Sequence, residues 1–236
     1  MSTQQKVVIV TGASQGIGAE LIKAFHDRDY RVIANSRSIK PSSDENVLNI
    51  AGDIADPATS DRIVSEGLAR FGRIDTLINN AGIFISKPFV DYTEEDYAAI
   101  VATNLGGFFR LTKRVVAEML MQGSGHIVQI TTSLVDHPNS SVPAGLAAMT
   151  KGGLNAATRS LAIEYASRNI RVNAVSPGVI KTPMHAAETH EFLSKLHPVG
   201  RMGEARDIVD AVLYLENAPF VTGEILRVDG GQSAGH

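Results

Sequence analysis

Residues 6–24, KVVIVTGASQGIGAELIKA, join an apolar run to a helical pattern through a turn rich in glycine. The run at 7–10 is β-branched throughout and does not alternate between polar and apolar residues, which is typical of a strand covered on both faces of a parallel sheet. From Ile17 onward the apolar residues recur at the spacing of a helix. The stretch therefore predicts a strand followed by a helix, with the glycines in the turn between them.

The glycine turn points to an anionic ligand. The first backbone N–H groups of a helix have no partner within the helix, and they lie at the positive end of its dipole. Gly12 would allow a tight turn, Gly16 a close approach of a pyrophosphate, and Gly18 close packing of helix on strand. The spacing is Gly-x-x-x-Gly-x-Gly, not the commoner Gly-x-Gly-x-x-Gly. The turn predicts a dinucleotide site, and the alternative is an ordinary strand-to-helix turn that happens to be rich in glycine.

Composition limits the class of protein. The 236 residues fit one α/β domain, and the net charge of −3 argues against a nucleic-acid surface and an anionic membrane as partners. The absence of cysteine excludes disulfides, thiol catalysis and thiolate metal sites. No apolar run approaches the length of a membrane span, and the polar start MSTQQ lacks the hydrophobic region of a signal peptide. We therefore expect a soluble, cytoplasmic protein with no metal, nucleic acid or membrane as a partner.

The end of the second predicted strand, at 31–35, is where dinucleotide folds bind the adenosine ribose. An NAD site carries Asp or Glu there, whereas this chain has Asn35, Ser36 and Arg37. No carboxylate would repel a 2′-phosphate, and a guanidinium can donate two hydrogen bonds to one. NADP(H) is therefore expected in preference to NAD(H). The alternative is that Arg37 is a solvated loop residue.

Strands and helices alternate along the rest of the chain, which predicts an α/β fold with a doubly wound parallel sheet of about seven strands. Ligands of such sheets lie at the carboxyl ends of the strands. A helix predicted over 93–121 contains Asn104, Gly106 and Gly107, which are poor helix formers and indicate a local bend or a functional side chain. The segment 179–203 has weak periodicity and is predicted to be a lid or substrate loop. The other predicted strands are 47–51, 76–78, 125–131, 170–175 and 224–228, and the other predicted helices are 57–71, 143–168 and 205–216.

Taken together, these motifs resemble the short-chain dehydrogenase/reductases over essentially the whole chain. The matching stretches are TGASQGIG at 11–18, NNAG at 79–82, Asn104, VNAVSPGVIKTPM at 172–184 and VTGEILRVDGG at 221–231. The resemblance implies a single Rossmann-like domain over 1–236, a lid at 179–203 within it, and a homodimer or homotetramer formed through the two long helices. It also implies a set of residues around NAD(P): Gly12, Ser14, Gln15, Gly16, Ile17, Gly18, Ser36, Arg37, Asp53, Ile54, Asn80, Ala81, Gly82, Lys151, Pro177, Gly178, Ile180 and Thr182. Asp53 would flank the adenine, and the alternative is that it caps a turn.

The catalytic pattern of this family is a Ser, then Tyr-x-x-x-Lys, with an Asn from the preceding long helix. Lys151 matches the lysine and Asn104 the asparagine, but Ala147 stands at the tyrosine position. All five tyrosines lie outside 131–151, so a small shift of alignment does not restore it. The serine corresponds to Thr132 by the strand end, with Ser133 beside it. The predicted catalytic residues are therefore Asn104, Thr132, Ser133 and Lys151.

Two functions are compatible with this pattern. The first is an NADP(H)-dependent oxidoreductase of a small carbonyl or alcohol substrate, with a proton that comes from Lys151 through a water, from Asp136 or from His137. The second is a catalytically impaired NADP(H)-binding sensor or partner subunit. The retained Lys151 and Asn104 favour the enzyme, which we expect, whereas Ala147 favours the sensor. His137 has the alternative of being an exposed loop residue.

Overall fold

A parallel sheet runs through the centre of the molecule, with its seven strands in the order β3-β2-β1-β4-β5-β6-β7. The computed structural model describes residues 5–235. Each pair of neighbouring strands is parallel, and the predicted doubly wound sheet is confirmed. The strands are β1 (Val7–Thr11), β2 (Arg31–Ser36), β3 (Val47–Ala51), β4 (Thr76–Asn79), β5 (Gly125–Ile130), β6 (Ile170–Pro177) and β7 (Ile225–Val228).

The part of the chain that the structure describes contains seven α-helices, most of which pack on the two faces of the sheet. They are α1 (Gly16–His26), α2 (Pro57–Phe71), α3 (Glu94–Val101), α4 (Phe108–Gln122), α5 (Gly145–Tyr165), α6 (His190–Ser194) and α7 (Ala205–Asn217). None of the described helices is long and apolar enough to cross a membrane.

The β-branched run of β1 explains why the sheet is covered on both faces. All five residues of β1 are buried. Val7 and Ile9 belong to the core cluster under α2, α4 and α5, whereas Val8 and Val10 belong to the cluster under α1 and α7. Burying one such side chain contributes about 1.5–3 kcal/mol. Because both faces of β1 are buried, polar and apolar residues do not alternate along it. The sequence predicted such a strand.

The helix predicted over 93–121 is not regular. A π-helical turn, Ala102–Gly107, separates α3 from α4, so the helix is irregular where Asn104 and the two glycines predicted a local bend or a functional side chain. Such turns add a residue to the helical repeat and are frequent at functional sites. Smaller corrections concern element ends: the helix predicted at 143–168 is α helical only over Gly145–Tyr165, and β6 continues to Pro177.

The segment 179–203 is folded onto the carboxyl edge of the sheet. It contains a 3-10 turn, Ala187–Thr189, followed by α6. A parallel bridge joins Ile180 to Gly203 and closes the segment at its base. Inside the segment, the buried His197 accepts a hydrogen bond at Nε2 from the Val179 N–H, at 2.9 Å.

A buried polar cluster lies at the opposite, amino edge of the sheet. His126 Nδ1 lies 2.7 Å from Glu216 Oε2, and its Nε2 lies 3.1 Å from the Asn173 amide nitrogen. Tyr30 donates a hydrogen bond to Glu216 at 2.9 Å. Burial lowers the pKa of His126. Burial alone would raise the pKa of Glu216, but hydrogen bonds from His126 and Tyr30, with Lys6 nearby, hold that pKa well below its usual range.

Candidate active site

Three turns meet at the carboxyl edge of the sheet. The Thr11 hydroxyl accepts hydrogen bonds from the N–H groups of Asn80, at 3.1 Å, and Ala81, at 3.0 Å. The Asn80 amide in turn donates to the Thr11 carbonyl at 2.8 Å. On the other side of the glycine turn, a Cβ atom built on Gly16 would lie 3.1 Å from the methyl carbon of Thr182. The turns at 12–18, 79–82 and 177–182 therefore surround one crevice.

The glycine turn has a geometry that other residues would not accept. Gly12 and Gly16 have φ angles of +67° and +54°, in the left-handed region. A Cβ atom on Gly18 would lie 2.3 Å from the Gly12 carbonyl oxygen, so α1 packs on β1 at a distance that only glycine permits. Gln15 is the N-cap of α1, and its side chain makes no capping hydrogen bond. The N–H groups of the first turn, including that of Ile17, thus remain available to a phosphate, beside the exposed Ser14.

The end of β2 fits a second anion. Asn35 is buried, and its amide donates to the carbonyl oxygens of Ile50, at 3.0 Å, and Gly52, at 3.1 Å. Asn35 therefore links β2 to the end of β3, and its side-chain nitrogen is not free to bind a ribose. The Ser36 hydroxyl is buried without a hydrogen-bond partner, and Arg37 next to it is exposed. A phosphate at this point would satisfy the hydroxyl and pair with the guanidinium.

The residues after β3 form a turn that leads to α2. The Asp53 carboxylate accepts a hydrogen bond from the Ala55 N–H at 2.9 Å, so it caps that turn, as the alternative interpretation of Asp53 had it. Ile54 is buried, and a Cβ atom on Gly107 would lie 2.9 Å from it. The turn is therefore held against the π-helical segment.

Asn104 anchors the backbone beside Gly82. In the π-helical turn its Oδ1 accepts from the Ile83 N–H at 2.9 Å, and its Nδ2 donates to the Ile83 carbonyl at 3.1 Å. Nδ2 also lies 3.2 Å from the Thr150 hydroxyl on α5. One amide thus joins the segment after β4 to the residue that precedes Lys151.

Lys151 extends from α5 to the end of β5, where its ammonium donates to the Ile130 carbonyl at 2.7 Å. A Cβ atom on Gly82 would lie 3.0 Å from this ammonium and 3.2 Å from Asn104 Oδ1, so the three groups are neighbours. Burial lowers the pKa of Lys151 to about 8. The lysine can therefore change its protonation state close to neutral pH.

The surroundings of Ala147 are apolar. Ala147 lies one turn before Lys151 on α5, is 2% exposed, and forms a small cluster with Ile100 and Leu146. Tyr92 packs against this cluster, and its hydroxyl donates to the Ile85 carbonyl at 2.8 Å. Ala147 itself has no group that can hold a proton.

The hydroxyl groups of Thr132 and Ser133 have different hydrogen-bond partners. The Thr132 hydroxyl accepts a hydrogen bond from the Leu134 N–H at 3.3 Å, which leaves its own proton free to be donated. The Ser133 hydroxyl is buried and donates its proton to the Gln232 side-chain oxygen at 2.9 Å. Sequence reasoning did not include Gln232, because nothing in its local pattern relates it to Ser133.

The other proposed proton donors lie in the loop that follows. Asp136 forms an ion pair with Arg227 on β7, at 3.1 Å, and is thus engaged. His137 follows it, and its N–H donates to the Ser133 carbonyl at 2.8 Å.

At the end of β6, Pro177 is the last strand residue, and the Gly178 N–H donates to the Val228 carbonyl at 3.1 Å. A Cβ atom on Gly178 would lie 2.6 Å from His197 Nε2, so the segment 179–203 is packed directly behind this turn. Ile180 is buried beside it. Nothing in the sequence distinguished His197 from a solvated histidine.

The fold and the residues at the carboxyl edge of the sheet together define a class of protein. A doubly wound parallel sheet with a glycine turn between β1 and α1, and with a partly buried lysine at the carboxyl edge, is the framework of a Rossmann-type nucleotide-binding enzyme.

Comparison with known proteins makes the class specific. The family model described as enoyl-(acyl carrier protein) reductase matches residues 12–233. The chain is 37% identical to the 3-oxoacyl-[acyl-carrier-protein] reductase FabG of Salmonella typhimurium, with 98% of each chain covered. It is similar, at a TM-score of 0.90 and 28% identity, to the structure of ElxO with NADP bound, covering 98% of this chain and 100% of that one. The same values describe its likeness to a 3-ketoacyl-(acyl-carrier-protein) reductase from Brucella melitensis complexed with NADH. The chain belongs to the short-chain dehydrogenase/reductase family of NAD(P)-dependent oxidoreductases.

Proposed function

We propose that the chain is an NADP(H)-dependent reductase of the ketone in a 3-oxoacyl thioester, with Lys151 as the source of the proton and Ala147 in place of the family's tyrosine. The observation that carries this proposal is the partly buried Lys151 ammonium, held 2.7 Å from the Ile130 carbonyl beside Gly82 and Asn104. The substrate class is supported by the similarity to 3-oxoacyl-[acyl-carrier-protein] reductases, which extends over 98% of the chain.

The residues present fit the cofactor. The free N–H groups of the turn at 12–18 would bind the pyrophosphate, and Ser36 with Arg37 would bind the 2′-phosphate that distinguishes NADP(H). Asp53 and Ile54 would flank the adenine. The ribose nearer the reaction would lie against Asn80, Ala81, Gly82 and Lys151, and the nicotinamide against Pro177, Gly178, Ile180 and Thr182. When bound, NADPH supplies a hydride to the carbonyl carbon.

The side chains of the protein would manage the negative charge that then develops on the carbonyl oxygen. The Thr132 hydroxyl, whose proton is free, would donate a hydrogen bond to that oxygen. The Lys151 ammonium would supply the proton, through a water. Its pKa of about 8 keeps most of the population protonated at neutral pH. Asp136 is less suited to this role because it is paired with Arg227.

The loss of a tyrosine general acid has a predictable cost. Removing such a group slows the reaction roughly 10²- to 10⁴-fold, or by about 3–5 kcal/mol of activation free energy. Positioning of substrate and cofactor remains, so slow turnover is expected.

A second candidate function is an NADP(H)-binding sensor or partner subunit without turnover. The observation in its favour is that Ala147 is enclosed by Ile100 and Leu146, which leaves no proton donor at that position.

One titration separates the two functions. NADPH fluorescence is followed as protein is added, which is possible because the chain has no tryptophan. Acetoacetyl-coenzyme A is then added at several pH values and NADPH oxidation is measured. We expect enhanced fluorescence and slow oxidation that declines as the pH rises through about 8, where Lys151 loses its proton. Binding without oxidation of any 3-oxoacyl thioester would favour the sensor, and no binding would contradict both functions.

We further propose that 179–203 acts as a lid and that α4 and α5 form a dimer or tetramer interface. Four large apolar side chains on these helices are exposed, Phe109, Met121, Met149 and Ile163. Light scattering would test the assembly, and a monomer at micromolar concentration would contradict it.

A further inference from the structure

The C-terminal turn is built around the side chain of Asp229. The two oxygens of this buried carboxylate accept hydrogen bonds from the N–H groups of Gly231, at 3.0 Å, and Ser233, at 2.9 Å. Gly230 and Gly231 have φ angles of +60° and +89°, which glycine adopts without strain. The turn directs Gln232 into the interior, where it is 1% exposed. We call residues 227–234 the C-terminal clasp.

The clasp holds the loop at 131–136 at two points. The buried bond from the Ser133 hydroxyl to Gln232 is one, at 2.9 Å, and the ion pair of Arg227 with Asp136 is the other, at 3.1 Å. The ion pair is partly exposed and contributes little. The buried bond matters more, because losing one partner leaves the other without a hydrogen bond in a place that water does not reach.

The clasp also contacts the segment 179–203. The Val199 N–H donates to the Gly230 carbonyl at 3.2 Å. A Cβ atom on Gly230 would lie 2.7 Å from the Val199 side chain and 3.3 Å from that of His197. His197 in turn binds the Val179 N–H next to the predicted nicotinamide position. The clasp thus lies between the loop that carries Thr132 and the segment that would cover the substrate.

From these contacts we infer that Gln232 is a positioning residue: by binding the Ser133 hydroxyl, it fixes the loop at 131–136 so that Thr132 alone presents a free hydroxyl to the substrate carbonyl. The inference rests on the proposed carbonyl reduction. Gln232 itself acts through Ser133. Without this bond, the Ser133 hydroxyl is no longer held by Gln232 and the loop at 131–136 loses its buried attachment. Thr132 would then be positioned less accurately against the carbonyl oxygen of the substrate. Small displacements of this kind reduce rates up to about 10²-fold.

The test is a double-mutant cycle with Gln232→Met and Ser133→Ala, which remove the two sides of the same hydrogen bond. The control is Gln122→Met, which makes the same substitution at a glutamine whose side chain bonds to the backbone of Ile74 at the opposite edge of the sheet. We expect each variant of the pair to lower kcat about ten-fold without changing the affinity for NADPH, and the double variant to be no slower than either single one. The control should retain the wild-type kcat.

A second measurement does not depend on turnover. Calorimetric titration of acetoacetyl-coenzyme A into the complex with NADP⁺ reports the carbonyl contact at equilibrium, and Gln232→Met should weaken this binding several-fold. A lower Tm with unchanged kcat and unchanged thioester affinity would mean a purely structural role and would overturn the inference. If the wild type binds NADPH and thioester and Gln232→Met behaves like it, only the inference fails. If the wild type binds neither, the proposed function fails with it.

Discussion

Replacing Ala147 with tyrosine tests whether the rest of the catalytic site is assembled. The new phenol would lie one helical turn before Lys151, whose ammonium favours the phenolate and so brings the pKa of the added group towards neutrality. A general acid contributes roughly 10²- to 10⁴-fold, so NADPH oxidation with acetoacetyl-coenzyme A should become at least about 10²-fold faster. This corresponds to about 3 kcal/mol of activation free energy.

Packing works against the same substitution. Ala147 is 2% exposed and surrounded by Ile100 and Leu146, so a large ring must displace its neighbours. Overpacking of this kind costs about 1–3 kcal/mol of folding free energy, and a lower Tm is expected. Ala147→Phe is the matched control, since it brings the same ring without the hydroxyl. If the tyrosine variant is folded and binds NADPH but turns over no faster than the phenylalanine variant, the reasoning about the site is refuted.

Three further predictions concern the cofactor, the anchor and the pH dependence of stability. Arg37→Ala should weaken NADPH binding about ten-fold or more and leave NADH binding unchanged, and equal losses in fluorescence titrations would contradict the phosphate assignment. Asn104→Ala leaves both backbone groups of Ile83 without their partners and should lower the free energy of unfolding by about 1–3 kcal/mol in urea titrations, whereas an unchanged value would contradict the anchor role. The pKa values of His126 and Glu216 are both lowered in the folded protein, so their contributions to the free energy of unfolding are fully present above the unfolded values of 6.5 and 4.5. They are lost as the pH falls below those values towards the lower folded pKa values. The free energy of unfolding should therefore decrease on acidification by up to about 1.4 kcal/mol per pH unit for each proton, and His126→Gln should remove the first part of this decrease.

The elements of the fold could be predicted because they are encoded in contiguous residues. The β-branched run of β1, the glycines at 12–18 and the helical repeat after them each produce their structure locally. Even the break at Asn104 was visible, because three poor helix formers lie within four positions. The ends of elements were less accurate, since packing decides where a helix frays.

The candidate site was predicted only in part, because its details depend on partners far apart in the chain. Ser133 and Gln232 are 99 positions apart, and no local pattern relates them. The distinction between Thr132 and Ser133 could therefore not be made from the sequence. His197 is a similar case, since its importance comes from a bond to the Val179 N–H across the base of a loop.

The position of the cluster of His126 and Glu216 has a consequence for how this chain can change over evolutionary time. This buried polar network lies at the amino edge of the sheet, at the far end of the strands from Lys151. Substitutions at the carboxyl edge leave its hydrogen bonds intact, and distant sites contribute to stability almost independently. A chain built in this way can lose and regain catalytic groups at one edge while selection on folding acts at the other. A substitution at position 147 is of the kind that such a division of the molecule tolerates.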